Sequence, residues 1–261
     1  MVPASRRWAV VLDEELRDLW IGGRGLPLAF GVSILMSVIA YLVATNQALN
    51  FLEQRETVNL TLQVAIAVGS LLALVAAADA ISGERERGTL ETLLVTPVPR
   101  LGLLTGKLLA ALSLWLAALV VAVPYLWFLG RGVGLAGQAV LIGLVVGTLL
   151  AIFLGSLGML FSVFTRSNRV SLSISLLLLL ALFAPTQLPS CAQQGWTGEL
   201  LLRLNPITAG EHYVGTVVVD GHPWRDGLSW LVAPLVAATV SAVVALTVGS
   251  RSLRLRGTGA G

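Results

Sequence analysis

The chain of 261 residues is 56% hydrophobic and only 12% charged, which is too apolar for a soluble domain of this length and places its bulk in a membrane. Its net charge of +3 comes from basic residues set singly or in small groups between apolar runs, and this scatter argues against nucleic acid as a partner. One cysteine, Cys191, excludes an internal disulfide framework and a cysteine-built metal site, and is read as a small filler residue.

At the N-terminus, Arg6 and Arg7 precede an apolar run, Trp8 to Leu12, of about five residues, shorter than the roughly 7 to 15 of a signal peptide, so no cleaved leader is expected. Read as a helix, Trp8, Leu12, Leu16 and Leu19 share one face, with Arg6, Asp13, Glu14, Arg17 and Asp18 largely elsewhere. Two readings stand: a helix lying in the membrane interface with Trp8 and Trp20 at its ends, or a solvated helix packed on the protein. The first is taken forward, making residues 1–25 a cytoplasmic amphipathic interfacial helix.

Crossing about 30 Å of hydrocarbon takes roughly 20 mostly apolar residues. Six runs qualify: Leu26 to Thr45, Leu60 to Ala80, Leu108 to Leu129, Ala139 to Phe164, Val170 to Leu188 and Trp230 to Val248. Lipid satisfies no open backbone group, so each must be a helix and the expected fold is an all-α integral membrane protein with one six-span domain, 26–250, and a basic tail, 251–261. Six spans put both termini on one side. With those termini inside, only Arg55, Arg131, Arg203 and Arg225 face outward while the other 13 of 17 basic residues face the cytoplasm, which predicts an N-in, C-in topology.

The fourth span carries Gly143, Gly147, Gly155 and Gly158, small residues spaced to let a neighbouring helix approach. Packing is the plainer reading, and a role in a permeation path is the other. Pro185 and Pro189 predict that the fifth span kinks or ends near the outer surface. Beyond it, in the segment 189–229, Trp196 to Leu204 and Ile207 to Val219 read as short outer re-entrant helices separated by Asn205 and Pro206.

Between the second and third spans lies a hinge, 82–100, that begins with four consecutive charges, Glu84, Arg85, Glu86 and Arg87. Each would cost roughly 2.5 to 3.5 kcal/mol at a bilayer centre, so the group lies on an aqueous face. Gly88 reads as a break, Thr89 as the start of a second helical piece, and Leu90, Leu93 and Leu94 fall at i, i+3, i+4 before Pro97 stops it. Glu84 and Arg87 are spaced to pair locally. The leucine face either enters a partner's groove or tucks under the spans. At the edge of the hinge, Asp79 is either an interfacial acid paired with Arg85 or Arg87, or an intramembrane functional acid linked to a proton or substrate.

Gly102 to Leu108, GLLTGKL, has three residues between its glycines and no Ser or Thr after the lysine, so it is no phosphate loop. ATP chemistry is therefore expected on another polypeptide, and Lys107 is read as a cationic anchor where the third span enters the membrane. His212 and His222 sit in no metal-binding pattern, and no catalytic constellation is present, so no metal site and no enzyme activity are expected.

The run GERERGTLETLLVTPVPR followed by GK resembles the signature between the second and third spans of the type 2 ABC transporter permease family, through Glu84, Gly88, Thr89, Leu90, Leu93, Leu94, Thr96, Pro97, Arg100, Gly106 and Lys107. The likeness extends over the chain, and Asn205 with Pro206 is similar to the family's NP element. It implies that the hinge, Glu84 to Leu90 with Leu93, Leu94 and Pro97, is a coupling helix docking on a separate ABC ATPase. That ATPase would bind ATP and Mg, with no cofactor in this chain. It further implies an exporter built from two permeases and two ATPases, among the lipids of a prokaryotic cytoplasmic membrane, with no large outer domain and no fused ATPase here. The alternative is a secondary transporter or channel driven by an ion gradient, with Asp79 as the proton site.

Overall fold

The computed structural model describes residues 7–23, 25–45, 51–90, 99–132, 134–187 and 196–252. In chain order the helices are α1 (Arg7–Trp20), α2 (Gly25–Thr45), α3 (Phe51–Asp79), α4 (Ser82–Arg87), α5 (Arg100–Gly130), α6 (Ala136–Phe164), α7 (Asn168–Phe183), α8 (Trp196–Leu204), α9 (Pro206–Val218) and α10 (Val232–Ser252). Short 3-10 turns, Ala184–Gln187 and Leu228–Leu231, follow α7 and precede α10. No strand occurs among the described residues.

Among the described residues, five helical stretches are long and apolar enough to cross a membrane: Gly25–Leu42, Gln54–Arg87, Arg100–Gly130, Ala136–Phe164 and Leu228–Ser252. The fifth predicted span departs from this. Its run forms α7, 16 residues and so about 24 Å of helix, and a 3-10 turn carrying Pro185 adds about 8 Å. Elsewhere the helices outrun their apolar cores: α3 starts at Phe51 and α5 at Arg100, so polar segments expected to be connections continue the spans.

The core is the α3–α6 pair with α5 laid against both. Trp115 of α5, fully buried, fills the centre and donates its indole N–H to Thr148 Oγ1 at 3.1 Å. Its ring fits because Gly69 of α3 and Gly147 of α6 have no side chain there; a methyl on either would overlap it. Two of the other glycines singled out in the fourth span are also tightly packed: a methyl on Gly143 would overlap Leu62, and one on Gly158 would stand 2.6 Å from Leu74 O on the backbone of α3. Gly155, by comparison, would take a methyl at ordinary contact distance from Leu108. By contrast α2 and α10 leave apolar faces outward, including Phe30, Leu42, Val236 and Val243, as helices do whose solvent is hydrocarbon.

The N-terminal helix α1 runs alongside the first turns of α5. Val11 is buried against Gly106, and Trp20 Nε1 donates to Ser113 Oγ at 3.1 Å, two turns further along. These contacts hold α1 against α5, while Leu12, Leu16 and Leu19 of its apolar face are half-buried; the side chain of Trp8 lies outside the described residues.

The glycine contacts give a direct comparison. Gly158→Ala is expected to lower the thermal stability of the purified protein, by about 1 to 3 kcal/mol of overpacking, since the obstructing atom is backbone. Gly137→Ala, in the same helix with nothing within 4 Å, should be neutral or stabilising by about 0.5 to 1 kcal/mol. Equal melting temperatures for the two variants would contradict the packing described.

Candidate functional site

The hinge begins where Ala80 and Ile81 turn the chain out of α3 into the six-residue α4. A helix that short does not persist on its own, so other elements must hold it. Its first amides are taken by α6: the N–H groups of Ile81 and Ser82 both donate to Ser162 Oγ, at 2.9 and 2.8 Å. Ser82 Oγ donates back to Ala78 O at 2.8 Å. At the far end Gly88 adopts φ 73°, and the N–H groups of Gly88 and Thr89 return to Arg85 O and Glu84 O, closing the helix by a left-handed cap that favours glycine.

The four charges then go to four different helices. Glu84 accepts from Lys107 Nζ of α5 at 2.9 Å through one oxygen and from the Thr89 hydroxyl at 3.1 Å through the other. Arg85 donates to Val163 O at 3.1 Å and to Thr165 O, satisfying carbonyls at the C-terminus of α6. Glu86 Oε1 accepts from Ser167 Oγ and from the Asn168 N–H, both at 2.8 Å, at the N-terminus of α7. Those two bonds, the Ser167 hydroxyl first, hold the Glu86 carboxyl below the usual carboxylate range. Arg87 reaches Asp79 Oδ2, at the end of α3, at 3.8 Å. The local Glu84–Arg87 pair suggested by their spacing gives way to these partners: Glu84 turns to Lys107 and Thr89, and Arg87 to Asp79.

Lys107 is the second departure. Its side chain is 2% exposed, and its ammonium sits between Glu84 and Glu15 Oε1 of α1, the latter at 2.5 Å. It joins three helices instead of reaching out to the membrane surface. Asp79, besides Arg87, accepts from Asn168 Nδ2 at 2.6 Å, and a methyl at Gly83 would push against the Asp79 carboxyl and require it to shift. These groups wall a cavity of about 290 Å³ beneath α4, closed further in by Leu72 and Leu114.

Leu90, one of the expected coupling residues, is 8% exposed and packs with Ile81, Leu104, Met159 and Val163. Leu93, Leu94 and Pro97 lie outside the described residues. Sequence reasoning missed Glu15, Ser162, Ser167 and Asn168. Only the polar cluster at the α6–α7 link hinted at the last two.

At the opposite end, the Asn205–Pro206 element starts α9. Asn205 Oδ1 accepts from the Ile207 N–H at 2.9 Å, Pro206 takes the first helical turn where no N–H is needed, and Asn205 Nδ2 donates to Leu182 O of α7 at 2.6 Å. Here Glu211, passed over in a run read as apolar, is a half-buried acid on α9.

Long apolar helices with a charged, internally tied hinge at one end define a multi-pass helical membrane protein. Residues 26–252 match the family described as ABC-2 family transporter protein, which covers well over half of the chain. The chain belongs to that family and is an ABC transporter membrane subunit, of a kind that carries no ATPase site of its own. No curated protein matches it.

Removing the buried cation isolates its contribution. Lys107→Met is expected to destabilise the protein by about 3 to 5 kcal/mol, because Glu15 and Glu84 are left facing each other unneutralised. Adding Glu15→Gln and Glu84→Gln should restore a large part of the loss. Thermal unfolding of the single and triple variants measures both; an undisturbed single variant contradicts the three-helix bridge.

Proposed function

We propose that this chain is the permease subunit of an ABC exporter in a prokaryotic cytoplasmic membrane, powered by a separate ATPase that binds ATP and Mg and docks at the hinge. The observation that carries this reading is the tetrad Glu84 to Arg87, which ties one small helix to α5, α6, α7 and α3 at once. A force on such a helix is delivered to four long helices together. The ATPase-facing surface is assigned to Glu86, Arg87, Gly88 and Thr89, which are exposed at this end, and, on the sequence resemblance alone, to Leu93, Leu94 and Pro97.

The hinge end is read as cytoplasmic. Among the described basic residues, Arg17, Arg85, Arg87, Arg100, Lys107, Arg166, Arg169 and Arg251 gather there, whereas Arg55, Arg131, Arg203 and Arg225 lie at the other end. On this reading α7 with its 3-10 turn is the fifth of six crossings, α1 sits at the inner interface, and α8 and α9 form the outer re-entrant pair. Two permeases and two ATPases make the working unit, and α2 and α10 offer apolar faces for a second permease or for lipid. The ion pair of Asp79 with Arg87 and its bond from Asn168 favour a structural role over that of a proton site.

Two substitutions separate docking from transmission. Leu93→Asp is expected to abolish copurification of the ATPase. Arg85→Met should leave copurification intact but lower substrate-stimulated ATP hydrolysis about tenfold, the rate equivalent of one charged hydrogen bond. Unchanged copurification and transport in Leu93→Asp would sink the docking assignment. Gradient-driven flux by the chain reconstituted without ATPase or ATP would favour the secondary-transporter reading instead.

A further inference from the structure

A cavity of about 440 Å³ opens at the end of the molecule opposite the hinge, between α3, α8, α9 and the 3-10 turn Leu228–Leu231. A water occupies about 30 Å³, so the space admits a small organic group. Its lining is rich in acceptors. Glu211 contributes a half-buried carboxyl with no hydrogen bond or ion pair among the described residues. Thr208 and Thr216 already donate their hydroxyl protons, to Leu202 O and Asn205 O and to Tyr213 O respectively, which leaves oxygen lone pairs for a ligand. Gln63 adds an amide oxygen and Asp220 a second carboxylate at the rim.

The charged groups around Glu211 do not neutralise it. Arg203 of α8 lies over the Trp230 ring, 5.0 Å from its centroid, and Arg55 of α3 donates to Val219 O at 3.4 Å. His212, on the same helix, stacks against Trp230 at 4.0 Å, and burial keeps its pKa below the usual value, so it is largely neutral at pH 7. Burial alone pushes the Glu211 carboxyl up to about 7, with no cation contributing. A carboxylate desolvated in this way is stabilised most by a donor that carries positive charge.

We propose that this outer cavity is a binding site for an organic ammonium group, held by Glu211 with Gln63, Thr208 and Thr216 as further acceptors. An ammonium has three donors and no acceptor, which complements a wall of lone pairs. That the ligand is the exported cargo rests on the transport reading; the binding itself does not.

The test uses the purified permease in nanodiscs, without ATP or ATPase, so its failure leaves the transport reading standing. Equilibrium binding of phenethylammonium is compared with phenethyl alcohol and phenylacetate, which match its size but change its charge. The ammonium should bind saturably, the alcohol and the anion should fail to compete, and affinity should fall as pH drops through about 7, where Glu211 takes up its proton. His212 gains charge only further into acid, and acts in the same direction. Glu211→Gln should weaken binding about tenfold or more and flatten the pH profile near 7, while Glu211→Asp retains part of both. Equal competition by the alcohol, or wild-type affinity in Glu211→Gln, overturns the proposal. The comparison of the three probes on the unmodified protein decides the matter even if a variant fails to fold.

Discussion

The hinge end of this molecule depends on one constraint: a six-residue helix too short to hold its own shape is fixed by charges, hydroxyls and apolar packing from the helices around it. Glu84, Arg85, Glu86 and Arg87 follow one another in sequence, so on a helix they point about 100° apart and cannot share a surface. Each finds a partner on a different neighbouring helix or at its end. Lys107 completes the arrangement by neutralising Glu84 from inside and drawing Glu15, and with it α1, into the same cluster. The buried ammonium is tolerable because two carboxylates face it.

Two environments are thereby set against each other. The centre of the bundle, where Trp115 lies in the notches left by Gly69 and Gly147 and where Gly158 touches the backbone of α3, is close-packed and resists deformation. The hinge end is held by polar bonds, several of them partly exposed, which can be exchanged with water or with a partner at small cost. A load applied at α4 should therefore move packed helices as bodies instead of bending them.

Much of this fold was legible from hydrophobic run length alone, since lipid leaves the backbone no choice but helix. The helix break at Gly88 and the start of α9 at Asn205–Pro206 were legible too, because their causes are local: a left-handed φ in one case, an amide acceptor and a missing N–H in the other. Partner choice was not. Nothing in the order of residues says that Arg85 will meet the carbonyls of Val163 and Thr165 or that Lys107 will meet Glu15, because these contacts join segments about 80 to 90 positions apart. Spacing rules see only the i, i+3 neighbour, and so favoured the Glu84–Arg87 pair. For Leu90 an i, i+3, i+4 pattern describes a face, and its burial beside Leu104 and Met159 could be read only from the fold. Glu211 escaped notice because a single acid in an apolar run becomes informative only once the cavity beside it is known.

The least packed of the central helices joins the two sites. Of α7, the residues Ser171, Ser175 and Leu179 are buried while most of its apolar surface faces outward. Yet both of its ends are bound. At the hinge, Glu86 holds its first turn and Asn168 ties it to Asp79; at the other end, Leu182 O accepts from Asn205, the residue that caps α9. A contiguous covalent and hydrogen-bonded path thus runs from α4 along α7 to the helix that carries Glu211. A rod gripped at both ends, with three buried side chains between them, can shift along its axis with few core contacts broken. Displacement of α4 would then reach the outer cavity through Asn205 without disturbing Trp115, which makes α7, and not the tightly packed α3–α6 pair, the natural carrier of motion between the two ends.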